Sequence, residues 1–267
     1  MPARLHLERI ARSGTAPARW LAITHGIYGA GMNWRAIARK VNERRPEWGV
    51  VLVDLRNHGR SERGAPPHTI AACADDVRAM FVDGIDAIAG HSFGGKVVLA
   101  TRAALAVRQT WVLDASPSAR PDAIDDPDNT VVRVLRMMQR LPTSWPRRED
   151  FVAAVVADGH DAGLANWLAM NLAHDASGVF HNKLDRAAIS AMLLDYYATD
   201  LWSSLADPRG GAVEIVVATR ARTLSTEDRT RLAHAPQHVH VHPIDAGHWL
   251  HIDAPDAVVE LFESQLP

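Results

Sequence analysis

The pentapeptide Gly90-His91-Ser92-Phe93-Gly94 constrains this chain more than any other feature, because of what flanks it. Before it, Ile85 to Ala89 form a short apolar run that reads as a buried strand. After it, a wide apolar face from Val97 to Leu105 marks a helix expected from near Gly95 to about Ala106. A chain that passes from strand to helix within so few residues must bend sharply. The residue at the bend takes a strained backbone conformation, and glycines two positions to either side keep neighbouring side chains from clashing. The Ser92 hydroxyl is then expected to project above the sheet at a helix N-terminus, where unpaired N–H groups and partial positive charge favour a developing anion. The string alone arises often by chance, and a serine that merely caps a helix is the competing reading. The strand and helix around it favour the sharp bend.

Other strand-like runs sit at Leu5–Ile10, Trp20–Thr24, Val50–Val53, Thr110–Leu113, Val213–Val217 and Val239–Ile244. Helical spacing links Trp34, Ile37, Ala38 and Val41, with Asn33 as the expected N-cap, and again Ile70, Cys73, Val77, Met80 and Phe81. Strands alternating with helices predict βαβ units and a mostly parallel central sheet flanked by helices, an α/β fold. From about Ser118 to Leu205 the strand signal disappears and helical periodicities take over. The expected organisation is therefore a core of 1–117 and 206–267 with a helical cap, 118–205, inserted after the Thr110–Leu113 strand.

At 267 residues, 47% of them hydrophobic, the chain can bury one large core. A formal net charge of −2 makes no electrostatic case for nucleic acid or a membrane surface. The lone Cys73 excludes an internal disulfide, and no apolar run reaches membrane-span length. The N-terminal string MPARLHLERIARSG lacks the apolar stretch of a signal peptide, so a cytoplasmic location is the expectation, for a monomer or homodimer.

A serine nucleophile needs an oxyanion site, a base and an acid. After the Trp20–Thr24 strand, His25-Gly26 permits a turn that aims the next amide into the site. The expected oxyanion donors are the Ile27 and Phe93 amides, with the His25 side chain only fixing the loop. Among fourteen histidines, His248 lies in Asp245-Ala246-Gly247-His248-Trp249, directly after the last strand, where functional loops converge. It also satisfies the chain order serine, acid, histidine. His251 is a weak rival, and His58 is expected to be structural. His160, His174 and His181 are expected to be exposed or to cap helices. His238, His240 and His242 share a strand face, but a solvated edge outweighs a metal site there, so neither metal nor cofactor is expected.

The acid is harder to place. The Val213–Val217 strand is followed by Ala218-Thr219-Arg220-Ala221-Arg222-Thr223, without a carboxylate before Glu227 and Asp228. Asp114 ends the strand beside the nucleophile strand, within reach of the same histidine, and is assigned as the acid. Asp185 and Asp245 are lesser candidates.

The strings HGIYGAGMNW, VDLRNHGRS, GHSFGGKVVL, LDASP and AGHWLH resemble α/β-hydrolase-fold serine esterases and, within them, small bacterial acyl esterases. The resemblance covers 20–117 and 240–262 well and the insertion poorly. It implies the α/β-hydrolase fold, with the cap following the strand counted sixth in that fold. It also implies cofactor-free hydrolysis of a small-molecule ester or thioester by Ser92, His248 and Asp114. The departure is at Arg220 and Arg222, where the wider superfamily often places aspartate.

Phe93 and Trp249 flank catalytic positions and are expected on the substrate pocket wall, as are Trp167 and Tyr196. Trp145, Trp202 and Tyr197 at helical spacing fit cap core at least as well. Two rivals stand beside the esterase reading. One is carbon–carbon bond hydrolysis or cofactor-free haloperoxidation on the same site. The other is a catalytically weak, ligand-binding homologue.

Overall fold

The computed structural model describes residues 1–14 and 16–267. In chain order its first half contains β1 (Leu7–Ile10), β2 (Arg19–Thr24), α1 (Arg35–Arg44), β3 (Trp48–Val53), α2 (Ile70–Met80), β4 (Ala87–His91), α3 (Phe93–Leu105) and β5 (Gln109–Leu113). Then come α4 (Thr130–Arg140), β6 (Ser144–Trp145), α5 (Arg148–Ala157), α6 (Ala162–Leu168), β7 (Leu172–His174), β8 (Phe180–Asn182), α7 (Arg186–Ala198) and α8 (Trp202–Ala206). The chain closes with β9 (Ala212–Ala218), α9 (Thr226–Ala233), β10 (Val239–Ile244), α10 (Leu250–Asp253) and α11 (Pro255–Gln265).

Seven of these strands form one sheet in the order β1-β3-β2-β4-β5-β9-β10, with only β1 antiparallel to its neighbour. Strands buried on both faces read as continuous apolar runs, which is why β3 and β5 show no polar alternation. Successive residues nonetheless pack to opposite sides. Ala22, Val51, Ile88, Val112 and Ile215 face α2 and α3, whereas Leu21, Val50, Ala89, Trp111 and Val216 face α1 and α11. Trp111 is fully buried there, edge-on to Phe262 at 4.7 Å between centroids. Burying such a side chain stabilises the fold by about 3 kcal/mol.

Chain order reverses between β2 and β4: β3 lies to one side of β2, and the later strands lie on the other. A sheet that splits this way leaves a crevice at the C-terminal ends of those two strands. The loop after β2 and the bend after β4 both open there.

Three local expectations need correction. Asn33 does not cap α1. It sits inside a 3-10 turn, Gly31–Trp34, and its side-chain oxygen accepts the Ala30 amide at 2.8 Å. The helix after Ser92 begins at Phe93, not near Gly95: Phe93 is already buried in the same core as Val97, and the glycines between them hide the helical spacing. The stretch 118–205 is not wholly helical. It also holds a small antiparallel sheet, β6-β8-β7, whose strands of two or three residues are too short for alternation to reveal. Among the described residues, no helix is long and apolar enough to cross a membrane.

The 118–205 stretch is fastened to the parallel-sheet layer through buried cations. Lys96 on α3 donates to the carbonyls of Ser118 (2.9 Å), Tyr196 (2.6 Å) and Thr199 (2.6 Å). Arg102, six residues further along the same helix, donates to the Ser204 carbonyl at 2.9 Å and also to the Asp207 carbonyl. Burial holds the Lys96 ammonium down at a pKa of about 8, so these carbonyls compensate a costly desolvated charge.

Candidate active site

Ser92 is the last residue before α3 and has φ 53° and ψ −116°, a conformation that residues other than glycine rarely adopt. The close approach around it explains the flanking glycines. A Cβ on Gly90 would come within 2.1 Å of the Gly94 carbonyl oxygen. A Cβ on Gly94 would lie 2.5 Å from the Thr24 hydroxyl and 2.7 Å from the His25 carbonyl. The bend is tied back by the Ser92 amide, which donates to the Leu113 carbonyl at 3.0 Å.

His248 sits on the loop between β10 and α10, and its Nε2 lies 3.0 Å from Ser92 Oγ. Its Nδ1 is 2.7 Å from Asp114 Oδ2. Asp114, one residue beyond β5, is completely buried and adopts φ 46°. Its amide donates to the Val216 carbonyl (2.8 Å), and its Oδ1 accepts from the Ala218 amide (3.1 Å), so strand β9 fixes both ends of the residue. The Thr223 hydroxyl donates to Asp114 Oδ2 at 2.8 Å and stands 3.1 Å from His248 Nδ1. The structure thus brings Ser92, His248 and Asp114 together. Asp185 and Asp245 lie elsewhere: Asp185 caps α7, and exposed Asp245 pairs with Arg220 at 2.8 Å.

A second imidazole supports the first. His91 Nε2 donates to the main-chain carbonyl of His248 at 2.7 Å, and the two rings are 4.8 Å apart. Burial, reinforced by His248 and His251, pushes the His91 pKa well below the ordinary value, so its ring stays neutral. His251 is also held down, to about 4, mainly by burial, against Trp34.

The loop after β2 turns at Gly26, whose carbonyl accepts from the Gly29 amide at 2.9 Å. His25 Nε2 accepts from the Leu55 amide (3.0 Å), which leaves Nδ1–H to donate to the Gly26 carbonyl (2.8 Å). This side chain fixes the loop. His58 does likewise, with its ring nitrogens against the Ile27 and Arg56 carbonyls. Ile27 and Phe93 both border the cavity onto which Ser92 opens. Phe93 is the first residue of α3, so its amide is one of the helix donors with no partner inside the helix.

Comparison with known proteins assigns the fold to a family. The model of the alpha/beta hydrolase family matches residues 21–261. The chain belongs to that family. Its relatives include lipases and esterases. The sn-1-specific diacylglycerol lipase ABHD11 of Mus musculus is 24% identical over 99% of this chain and 86% of its own length. Lipase LipV of Mycobacterium tuberculosis is 39% identical over 103 residues, which is 38% of this chain and 36% of LipV. A marine microorganism esterase of known structure superposes with a TM-score of 0.83 at 23% identity, covering 97% of each chain.

In this alpha/beta hydrolase the cavity above Ser92 has a volume of about 390 Å³. Phe93, Tyr196 and Trp249 lie on its wall, but Trp167 does not. Trp167 packs behind Trp249, 4.6 Å between centroids, and lines a smaller cavity on the far side of the Tyr28 loop. Sequence spacing cannot tell the two sides of one aromatic stack apart. Trp145 is core, edge-on to Phe151, and Trp202 packs under Arg231.

Several contributing residues carried no signal in the sequence. Thr223 is one. Tyr28 is another: its hydroxyl donates to the Val131 carbonyl (2.7 Å), and its carbonyl accepts from Asn171 (2.8 Å), which ties the Gly26–Gly29 turn to the 118–205 stretch. Asp228 accepts from Ser116 (2.8 Å) and from Ser118, bracing the chain just after Asp114. Buried Glu214 on β9 holds His240 Nδ1 (3.0 Å) and His242 Nε2 (2.6 Å), a carboxylate partner for that strand face that sequence spacing does not reveal. Among the described residues, no group of three or more His, Cys, Asp or Glu is arranged to hold a metal ion. His174 and His181 are exposed, but His160 is buried, contrary to expectation.

Proposed function

We propose that this alpha/beta hydrolase is a serine esterase that cleaves carboxylic esters or thioesters of small to medium acyl groups through an acyl-enzyme. The observation that carries the reading is the unbroken line Ser92 Oγ to His248 Nε2 (3.0 Å) and His248 Nδ1 to Asp114 Oδ2 (2.7 Å). That geometry suits proton transfer from a hydroxyl to an imidazole whose tautomer a carboxylate fixes. In this reading, 118–205 acts as a cap, and substrate enters beneath it.

Ser92 Oγ attacks the acyl carbon as its proton passes to His248 Nε2. The resulting imidazolium is stabilised by Asp114, which stays ionised. The oxyanion is received by the Ile27 and Phe93 amides, each worth about 3 kcal/mol in the transition state. His248 returns the proton to the departing alcohol or thiol as the C–O or C–S bond breaks. Water then gives a proton to His248 and attacks the acyl-serine, and His248 reprotonates Ser92 as the acid leaves.

The cavity volume supports a modest acyl group held by Phe93, Tyr196 and Trp249. The family and its lipase and esterase relatives support ester chemistry over the rival reactions. The test is covalent labelling with a fluorophosphonate, together with a p-nitrophenyl ester series of increasing chain length. Labelling mapped to Ser92 and abolished by Ser92→Ala is expected. Labelling that persists in that variant refutes the assignment.

A further inference from the structure

Four arginine and lysine residues lie close to the Ser92 cavity, and three of them are accounted for or sit at its rim. Lys96 is spent on three carbonyls. Arg220 pairs with Asp245. Arg222 is exposed at the mouth. Arg120 differs. It follows β5 by seven residues, its amide donates to the Tyr197 carbonyl (2.7 Å), and its carbonyl accepts from the Ala123 amide (3.0 Å). Its backbone is therefore pinned at both ends, and the half-buried residue lines the cavity. No hydrogen bond or ion pair to that guanidinium is present among the described residues, and no carboxylate lies within 4.0 Å of it.

A guanidinium fork of five donors that no protein group pairs is free to receive a planar or tetrahedral anion in two-point contact beside the cavity. The cavity's own carboxylates do not. Asp253 accepts the Gly247 amide at 3.0 Å, Asp126 accepts the Asp128 amide at 2.9 Å, and both Asp126 and Asp128 are exposed. Beside Arg120 stands Tyr196, whose hydroxyl also lacks a partner among the described residues and whose ring packs on Phe93 at 5.9 Å. The hydrogen bond from the Arg120 amide to the Tyr197 carbonyl and the shared cavity wall set the cation beside this pair of phenols, and its charge opposes the burial that raises both.

We propose that Arg120 is a specificity-determining residue that binds a fixed negative charge, carboxylate or phosphate, carried by the substrate away from its scissile acyl carbon. The site is then built for acid-bearing esters or thioesters, and neutral glycerides fit it less well. This inference rests on the hydrolase reading of Ser92 given above.

Two substrate pairs test it and separate the sources of charge. Mono-4-nitrophenyl adipate against its methyl ester varies a carboxylate on the acyl side. Acetyl-CoA against acetyl-pantetheine varies phosphates on the leaving group. In wild type, the charged member of at least one pair is expected to show the higher kcat/KM. Arg120→Gln should lower the charged-to-neutral ratio for that pair roughly tenfold or more, and Arg120→Lys should restore part of it. A ratio that Arg120→Gln leaves unchanged, or a wild type with no charge preference in either pair, overturns the proposal. Should Arg120→Gln fail to fold, the wild-type protein still decides: adipate should inhibit competitively and its diamide should not, and equal inhibition overturns the proposal. Fluorophosphonate labelling separates the two readings. A protein that labels at Ser92 without charge preference loses only this inference, whereas one that neither labels nor turns over loses both.

Discussion

The Thr223 hydroxyl stands 2.8 Å from Asp114 Oδ2 and 3.1 Å from His248 Nδ1, so one side chain from the loop after β9 touches two members of the hydrogen-bonded line. Many hydrolases of this fold would have a carboxylate in that loop. Here the carboxylate comes from the end of β5, and the loop contributes only a neutral donor. Replacing that donor with an isosteric apolar group, Thr223→Val, should lower kcat/KM roughly tenfold, the size expected for losing a hydrogen bond to a charged acceptor. Steady-state kinetics on a p-nitrophenyl ester would measure it, and an unchanged value would make Thr223 a spectator.

Asp114 carries a heavier demand. Asp114→Asn keeps the shape but presents the wrong partner to His248 Nδ1, and turnover should fall on the order of ten-thousand-fold. Asp185→Asn and Asp245→Asn should stay within about twofold, because Asp185 caps the N-terminus of α7, the end away from Tyr196, and Asp245 pairs with Arg220 at the surface. Comparable losses in either of these would move the acid away from β5.

His91 holds the His248 loop by its main chain and stands outside the Ser92–His248–Asp114 hydrogen-bonded line. His91→Phe should therefore reduce kcat while leaving the pH dependence of kcat/KM with the same single ascending limb. A shifted limb would mean that His91 exchanges protons in the reaction.

Buried imidazoles make the fold acid-sensitive. His251 titrates near 6.5 when unfolded but is held down to about 4 by burial in the folded chain. Between those values the unfolded state binds the extra proton, so stability is full above about pH 6.5 and declines as pH falls towards about 4. His91, His25 and His58 are depressed for the same reason and act in the same direction. Each contributes a slope of up to about 1.4 kcal/mol per pH unit. Urea unfolding of wild type and His251→Phe between pH 7 and pH 4 should show a shallower decline in the variant (urea is uncharged, so the midpoints compare directly).

Gly94→Ala should destabilise the protein by about 2 kcal/mol or more, since its Cβ would press on the Thr24 hydroxyl and the His25 carbonyl with no room to yield. A thermal midpoint within a degree of wild type would show that the bend tolerates a side chain there.

The sequence by itself determined what depends on neighbours along the chain. An apolar strand, a glycine-flanked serine and an amphipathic helix dictate a bend at Ser92, because the backbone has no other way through those residues. The βαβ alternation dictates a doubly covered parallel sheet, and a histidine just after its last strand must come up at the same sheet end. Tertiary structure alone decided what depends on pairs distant in sequence. It set Thr223 on Asp114, the His91 nitrogen on the His248 carbonyl, and Glu214 beneath His240 and His242. It also set Trp167 behind Trp249 instead of in front of it, and joined β6, β7 and β8 from segments too short to show a period. Local sequence encodes dihedral preference and which face is apolar. Which donor meets which acceptor across the cleft is settled only when sheet register and packing bring them within about 3 Å.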